Sequence, residues 1–412
     1  MIEVKPFKAI RPKRDKANLV ASRSYLSYCE STLREKLMNN PFTFLHVINP
    51  EYSLKTPIVS GPEKYKMVRE KFRSFMHQEI LVQDEKPVFY IYQQITTENK
   101  YVGIIAATAV DDYINEKIKA HEQTIEKREA MFSDYLKYSG FNAEPVLLAY
   151  PKVPRIDEII KSYTSTRPEY EFTTTNMVLH NLWLIDDSLD IQEITYLFGS
   201  LDSLYIADGH HRIASSAMLC KQNRITDADA HKDSPFNYFM SFLIDDEQMR
   251  IYDFNRLLKD LNGLSVEDFL SQVNSVYHIY KLAKAQKPSG KDEICMYLDG
   301  FWYRLKARKN TFNSLHCVDS LDPTILTKNI LGPILGIKDI RNDKRIDFMD
   351  GKKGLMGLQN AVDIRDFRLA FALKPIAFSQ LKEVADQNKN MPPKSTYIEP
   401  KLRSGLTIYK ID

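Results

Sequence analysis

The chain lacks the apolar segments that lead into a membrane. Among its 412 residues no run approaches the ~18 consecutive apolar positions of a spanning helix. The first 23 residues are basic, through Lys5, Lys8, Arg11, Lys13, Arg14, Lys16 and Arg23, and hold no apolar core of the kind a signal peptide needs. No membrane partner is expected. An excess of one charge is missing too. Lys and Arg number 57 against 54 Asp and Glu, a net charge of +3, so no large single-sign field is implied. Nucleic-acid binders usually carry a basic face and a high pI, so nucleic acid is not expected as a partner either. Cysteine is scarce. Cys29, Cys220, Cys295 and Cys317 show no metal-ligand spacing and make no disulfide framework. They read as small buried hydrophobes in a reducing, cytoplasmic protein. Internal repeats and low-complexity stretches are also absent.

What remains is an ordinary globular composition, 43% hydrophobic and 27% charged. The length suits two or three domains. Apolar residues recur at helical spacing from Glu63 to Ile80. Val88 to Tyr92 and Tyr101 to Val110, separated by the polar turn at Thr97-Glu98-Asn99-Lys100, predict a hairpin. A helical stretch is expected to start near Asp111-Asp112.

Strand and helix then alternate. Strands are expected at Pro145–Tyr150, His180–Ile185, Leu204–Ala207 and Phe236–Ile244, and helices at Ile156–Tyr163, Leu189–Phe198 and His211–Lys221. This order implies a mixed α/β core with ligands near strand ends. Farther on, Asp299-Gly300 predicts the turn of a hairpin over Glu293–Leu305. Pro323–Leu331 and Ser379–Gln387 read as helices and Phe367–Leu373 as a strand. The tail from Met391 to Gly405 reads as a surface loop before a last strand. The expected regions are 1–114, an N-terminal α/β region; 115–256, the core; and 257–412, a C-terminal α/β region.

One segment concentrates chemistry. An apolar strand ends at Asp208, Gly209 follows, and the next helix opens with His210, His211 and Arg212. Glycine permits a tight turn and close backbone approach. A helix N-terminus offers free N–H groups and partial positive charge to an anion. Arg212 can add a bidentate grip on phosphate, the histidines can donate or move protons near neutral pH, and Asp208 can hold Mg²⁺ directly or through water. Asp208 is also expected to cap the helix. A metal site made by the two histidines is disfavoured, because adjacent residues at a helix start point in different directions.

Two further segments are candidates. His121-Glu122 lies in a polar stretch from Lys119 to Thr124, either a solvated turn or the seat of a general base at Glu122. Met391 to Tyr397 is stiffened by Pro392 and Pro393. There Lys394, Ser395 and Thr396, with Lys401 beyond, can contact phosphate oxygens, or else the stretch is only a rigid loop.

These residues carry a resemblance. Lys5-Pro6-Phe7-Lys8, Phe44-Leu45-His46-Val47, His121-Glu122-Gln123-Thr124, Ala207 to Arg212, Asn255-Arg256, Leu335-Gly336-Ile337 and Met391 to Gly405 resemble the family known as domain of unknown function 1015. That family is similar to the ParB/sulfiredoxin-like superfamily. Its free serine kinase branch shares a glutamate, a helix, a Pro-Val strand and a strand ending in Asp-Gly-His-His-Arg. Glu122, the helical stretch after it, Pro145-Val146 and Asp208 to Arg212 match that order, over about residues 115 to 245.

The resemblance implies an α+β, mixed α/β fold: a ParB/sulfiredoxin-like core with added N- and C-terminal α/β elements. It also implies an ATP- or ADP-dependent, Mg²⁺-assisted kinase acting on a small hydroxyl metabolite, serine-like as the nearest guess. Glu122, His121, Asp208 and His211 would be catalytic. Gly209, His210, Arg212, Lys394, Ser395, Thr396 and Lys401 would bind the cofactor, with Asp208 at the metal. Departures stand beside it: Arg23-Ser24-Tyr25-Leu26 where many relatives have Arg-Pro-Tyr-Asp, and Glu126 to Met131 where relatives have Lys, acids and Asp-Arg. The alternative is a nucleotide-binding sensor or NTPase without transfer to a metabolite. The sulfiredoxin reading is disfavoured because His210 stands where the nucleophilic cysteine would be. The ParB clamp reading lacks a basic half and a helix-turn-helix. The oligomeric state is not legible.

Overall fold

The computed structural model describes residues 1–53, 61–226, 231–364 and 366–412. The chain divides into two compact units. The first holds Met1–Lys119, Thr124–Met249 and Pro400–Asp412, and the second Ala120–Gln123 and Arg250–Glu399. The boundary expected at residue 114 therefore falls inside the first unit, whose sheet draws strands from both sides of it.

The first unit is built on a mixed nine-stranded sheet. Its strands are β1 (Val4–Lys5), β2 (Phe89–Ile95), β3 (Lys100–Ala109), β4 (Ile118–Lys119), β5 (Val146–Tyr150), β6 (Tyr170–Thr173), β7 (Leu179–Ile185), β8 (Leu204–Asp208) and β9 (Tyr238–Asp245). They run in the order β4-β8-β5-β9-β3-β2-β7-β6, with β1 paired to β3. β5 and β9 are parallel, as are β4 and β8, and the other pairs are antiparallel. β5 and β9 are buried along their whole length, which explains their near-continuous apolar sequence.

Helix α1 (Pro62–His77) starts on a proline suited to the first helical position and buries Tyr65, Val68, Phe72 and Phe75. It packs on α2 (Glu126–Ser139). Further along come α3 (Pro154–Thr164), α4 (Ser188–Gly199) and α5 (His210–Thr226), and α5 packs against α2. The Asp187 carboxylate caps α4 by accepting from the N–H groups of Leu189 and Asp190. The helix expected at Asp111-Asp112 is only one short turn, Val110–Ile114, before the chain returns to the sheet.

The second unit carries a fully antiparallel six-stranded sheet of β10 (Phe254–Leu258), β11 (Tyr277–Leu282), β12 (Glu293–Leu298), β13 (Phe301–Ala307), β14 (Ile346–Asp350) and β15 (Leu369–Ala372). Its order is β11-β13-β12-β15-β10-β14. Asp299 and Gly300 form the two-residue turn between β12 and β13, both at positive φ (53° and 80°), as a type I′ hairpin requires. One face packs Leu258, Met296 and Phe371 with Phe269, Val273 and Ile325. The other packs Leu257, Cys295 and Ala370 with Leu358 and Val362 of the helix Gly354–Asp363.

The closing segment departs from expectation. Instead of crossing the surface, Leu402 to Tyr409 is buried, and Ile408 joins the core of Ile10, Val20, Phe44, Phe72 and Phe141. Backbone bonds from Ile408 to Ile10 and from Ser404 to Ser22 hold it there, and its apolar side chains favour that burial. The preceding stretch Tyr397–Glu399 pairs with Arg250–Tyr252 in the second unit.

Candidate functional site

The Asp-Gly-His-His-Arg segment sits where β8 gives way to α5. Just before it the ladder slips. Ile206 pairs with Leu148, but Asp208 pairs with Leu147, so Ala207 is the extra residue of a bulge. Bulges re-aim side chains at strand ends, and this one sets the direction of Asp208. Gly209 then takes φ 100°, where side chains are strained. A Cβ on Gly209 would lie 2.8 Å from Arg212 Nε and 3.0 Å from Arg212 Nη2. Glycine is thus needed for the turn and for the space Arg212 occupies.

The Asp208 carboxylate is clamped between two cations. Arg212 Nη2 donates to Oδ2 at 2.8 Å, and Lys401 Nζ donates to Oδ1 at 3.2 Å. Arg212 Nη1 donates to the Pro145 carbonyl at 2.6 Å and lies 2.8 Å from Glu144 Oε1. The other oxygen of Glu144 accepts from Ser404 Oγ at 3.1 Å. The Arg212 fork is therefore committed to protein acceptors, and it fixes the carboxylate and the start of β5. Lys401 holds the more open end, its side chain 42% exposed. Burial pushes the Asp208 pKa up, but Lys401 and Arg212 outweigh it and hold the carboxyl below the usual range. At this partial exposure each pair adds only about 0–1 kcal/mol alone, so the value of the arrangement lies in position.

His210 is buried, and burial pushes its pKa down to about 4, against the pull of Asp208, so it is neutral at pH 7. His211 is half-buried, and its carbonyl accepts from Ser215 Oγ at 2.6 Å.

The remaining expected residues fall as follows. His121 and Glu122 belong to the second unit. His121 is 2% exposed, its carbonyl accepting from the Met391 N–H at 2.8 Å, so the solvated-turn alternative does not hold for it. Glu122 is half-buried. The second unit thus joins the stretch at His121 to the start of the Pro-Pro-Lys-Ser-Thr loop. In that loop Lys394 is exposed at φ 61°, with Nζ 5.5 Å over the Phe254 ring. Ser395 is buried and donates to the Pro392 carbonyl at 2.7 Å, and Thr396 is half-buried. Lys401 is the residue of the closing segment that reaches Asp208. The Leu26 side chain lies outside the described residues.

Sequence reasoning missed Glu144, although it directly precedes the Pro145-Val146 pair, and it missed a buried cluster on the same closing segment. Arg403 Nε donates to His180 Nε2 at 3.3 Å, and His180 Nδ1 meets the Tyr92 hydroxyl at 2.8 Å. Phe172 and Tyr92 stack on the imidazole. Burial, then the charges of Arg403 and Arg23, push His180 down to about 3. His180 reads as an apolar-strand position with β-spacing, and nothing local to it signals a partner 223 residues away.

The fold and this segment define a mixed α/β protein with a carboxylate and paired cations at a strand-to-helix junction. Residues 4–324 match the family model described as "Protein of unknown function (DUF1015)", and the chain belongs to that family. The closing Pro-Pro-Lys-Ser-Thr loop lies beyond the matched span. A comparison with curated proteins finds no match. Among solved structures, a free serine kinase variant in complex with AMP is 13% identical, with 79% of this chain and 94% of that chain covered and a TM-score of 0.39. A free serine kinase variant in complex with ADP is 14% identical (76% and 94% covered, TM-score 0.39). A conserved hypothetical protein from Pyrococcus furiosus is 14% identical (75% and 95% covered, TM-score 0.38). No helix among the described residues is long and apolar enough to cross a membrane.

Proposed function

We propose that the chain binds ATP or ADP through its phosphates at the β8–α5 junction and transfers a phosphoryl group to the hydroxyl of a small, serine-like metabolite. The observation that carries the reading is the Asp208 carboxylate, aimed by a bulge, beside the N-terminus of a 17-residue helix and clamped by Arg212 and Lys401. Free N–H groups at that helix start suit phosphate oxygens. Lys401, the more exposed of the two cations, would contact them, while Arg212 acts as a positioning residue. Asp208 is the carboxylate that would hold Mg²⁺, which supplies charge neutralisation at the phosphates. Among the described residues no three His, Cys, Asp or Glu side chains converge on a metal cage, so nucleotide oxygens would complete its shell.

In the transfer, the substrate oxygen bonds to the terminal phosphorus as the bond to the leaving phosphate oxygen breaks. The hydroxyl proton passes to Glu122, the role the family resemblance gives it. Lys394, Ser395 and Thr396 belong to this reading as further phosphate contacts.

Phosphorus NMR with ATP or ADP, Mg²⁺ and a panel of hydroxyl metabolites tests it. A phosphorylated metabolite is expected. Asp208→Asn should cut turnover about 100-fold or more. Glu122→Gln should cut kcat about 100-fold with nucleotide affinity unchanged. Nucleotide binding without transfer in the wild type would replace the kinase by a sensor, and no nucleotide binding at all would overturn both.

A further inference from the structure

The closing segment that brings Lys401 to Asp208 also sets two arginines against each other. Ser22 and Ser404 form an antiparallel bridge, with N–H to carbonyl bonds of 3.1 and 2.8 Å in the two directions. In that register the residues directly opposite are Arg23 and Arg403. Like charges placed opposite on paired strands repel. Arg403 is 8% exposed, and its bonds go to neutral acceptors: His180 Nε2 at 3.3 Å, Thr174 Oγ1 at 3.1 Å and Asn176 Oδ1 at 3.1 Å. His180, held neutral, accepts from it and brings no negative charge. The carboxylates on the neighbouring strand segments are committed elsewhere, Asp208 to Arg212 and Lys401, Glu144 to Arg212 and Ser404. A buried guanidinium with no anion beside it among the described residues, and a second guanidinium opposite, carries a standing cost. An oxyanion that bridges both removes it, and the planar fork of arginine suits a phosphate.

We propose that Arg23 and Arg403 form a phosphate-monoester subsite in the first unit, beside the Asp208–Lys401 pair. Lys401 lies two residues from Arg403, so their Cα atoms are within about 7 Å. The subsite deepens the function proposed above and rests on it for its place in a reaction. Its ligand is the phosphate nearest the nucleoside or the phosphate of the product, and AMP and phosphoserine distinguish the two.

The test is calorimetric titration of the full chain with inorganic phosphate, then with AMP and phosphoserine. Wild type binds phosphate, sulfate competes and acetate does not. Arg403→Gln weakens phosphate binding about 10-fold or more, and Arg403→Lys, which keeps charge without the fork, falls between. Arg23 is exposed, so Arg23→Gln guards against a folding artefact. It weakens phosphate several-fold and, without phosphate, melts at the wild-type temperature or higher, because a repulsion has gone. Loss of AMP affinity alone in Arg403→Gln assigns the nucleotide, and loss of phosphoserine affinity alone assigns the product. Phosphate affinity within about twofold of wild type in both Arg403→Gln and Arg23→Gln overturns the subsite. If instead those variants lose phosphate while Asp208→Asn keeps normal nucleotide binding, the subsite stands and the nucleotide reading falls.

Discussion

The two sheets treat buried charge differently. In the first unit polar groups converge. Asp208, Arg212, Glu144, Ser404 and Lys401 share one network, and Arg403 leads from the same segment into His180 and Tyr92. In the second unit two buried groups stand apart. Arg256, at 0% exposure on β10, donates to the Phe254 carbonyl two residues back and lies 5.4 Å from the Phe348 ring. Its Nε and Nη2 meet no acceptor among the described residues, and burial pushes it down to about 9. Asp322 is pushed up to about 7, by burial first and then by the charge of Asp292. The proposed function draws on the converging network, whereas the isolated groups are expected to act on stability alone.

The largest effect this contrast predicts is an opposite response to pH. His210 and His180 have folded pKa values depressed to about 4 and about 3, so the unfolded chain binds the extra protons. Their contribution is complete above about pH 6.5 and is lost as pH falls toward those values, about 3 kcal/mol for His210 and about 5 kcal/mol for His180. Asp322 has a raised folded pKa, so there the native state holds the extra proton. Its contribution is present below about pH 4 and is lost as pH rises to about 7, roughly 2 kcal/mol once partial exposure is discounted. Hydrogen exchange, corrected for intrinsic rates and read separately on the two units between about pH 4.5 and 7, should show the first unit gaining protection with pH and the second losing it. Asp322→Asn should flatten the second trend. Two units that move together would remove the contrast.

A pair of glycines sharpens it at the next scale. Gly209 and Gly263 both have positive φ, 100° and 78°. A Cβ at Gly263 meets nothing within 4 Å, while at Gly209 it meets the pinned Arg212 guanidinium. Gly263→Ala should cost about 1 kcal/mol, the backbone term alone. Gly209→Ala should cost about 2–3 kcal/mol, since Arg212 must also leave Asp208 or Glu144. Urea unfolding measures both, and equal losses would mean that Arg212 is not held as tightly as its partners imply.

Much of this was legible in the sequence, for local reasons. The alternation around Pro145 to Ile244 gave its strands and helices, and Asp299-Gly300 its turn, because periodicity and turn chemistry are short-range. The Asp208–Arg212 segment stood out since acid, glycine and basic residues crowd five positions. What escaped depends on distance along the chain. Lys401 was marked as a phosphate contact, but its partner Asp208 lies 193 residues away. The burial of Leu402 to Tyr409 was hidden because Pro, Lys and Ser just before it mimic a surface loop. Arg403 meets His180 only because Ser404 pairs with Ser22, a bridge no local pattern announces. The division into units escaped for the same reason, since 120–123 and 400–412 each join a unit formed mainly by other stretches.

The smallest predicted effect falls on Arg256. A buried ion whose attraction to a partner does not offset its desolvation can be replaced by an apolar side chain of similar length at little cost or with a gain. Among the described residues Arg256 has no carboxylate in an ion pair, only a carbonyl and a ring, and its β10 neighbour on the same face, Leu258, already packs in the apolar core. Arg256→Met should keep the stem's packing and leave stability of the second unit unchanged or raised by about 1 kcal/mol. Arg256→Ala, which also opens a cavity, should cost about 2 kcal/mol or more. In the first unit Arg403→Met should be the less tolerated of the two methionine variants, because three neutral acceptors, His180, Thr174 and Asn176, lose their donor. Chemical denaturation of the pair decides it. A loss of more than about 2 kcal/mol in Arg256→Met would mean that a ring and one carbonyl hold that charge as well as a network holds Arg403, and the two sheets would no longer differ in kind.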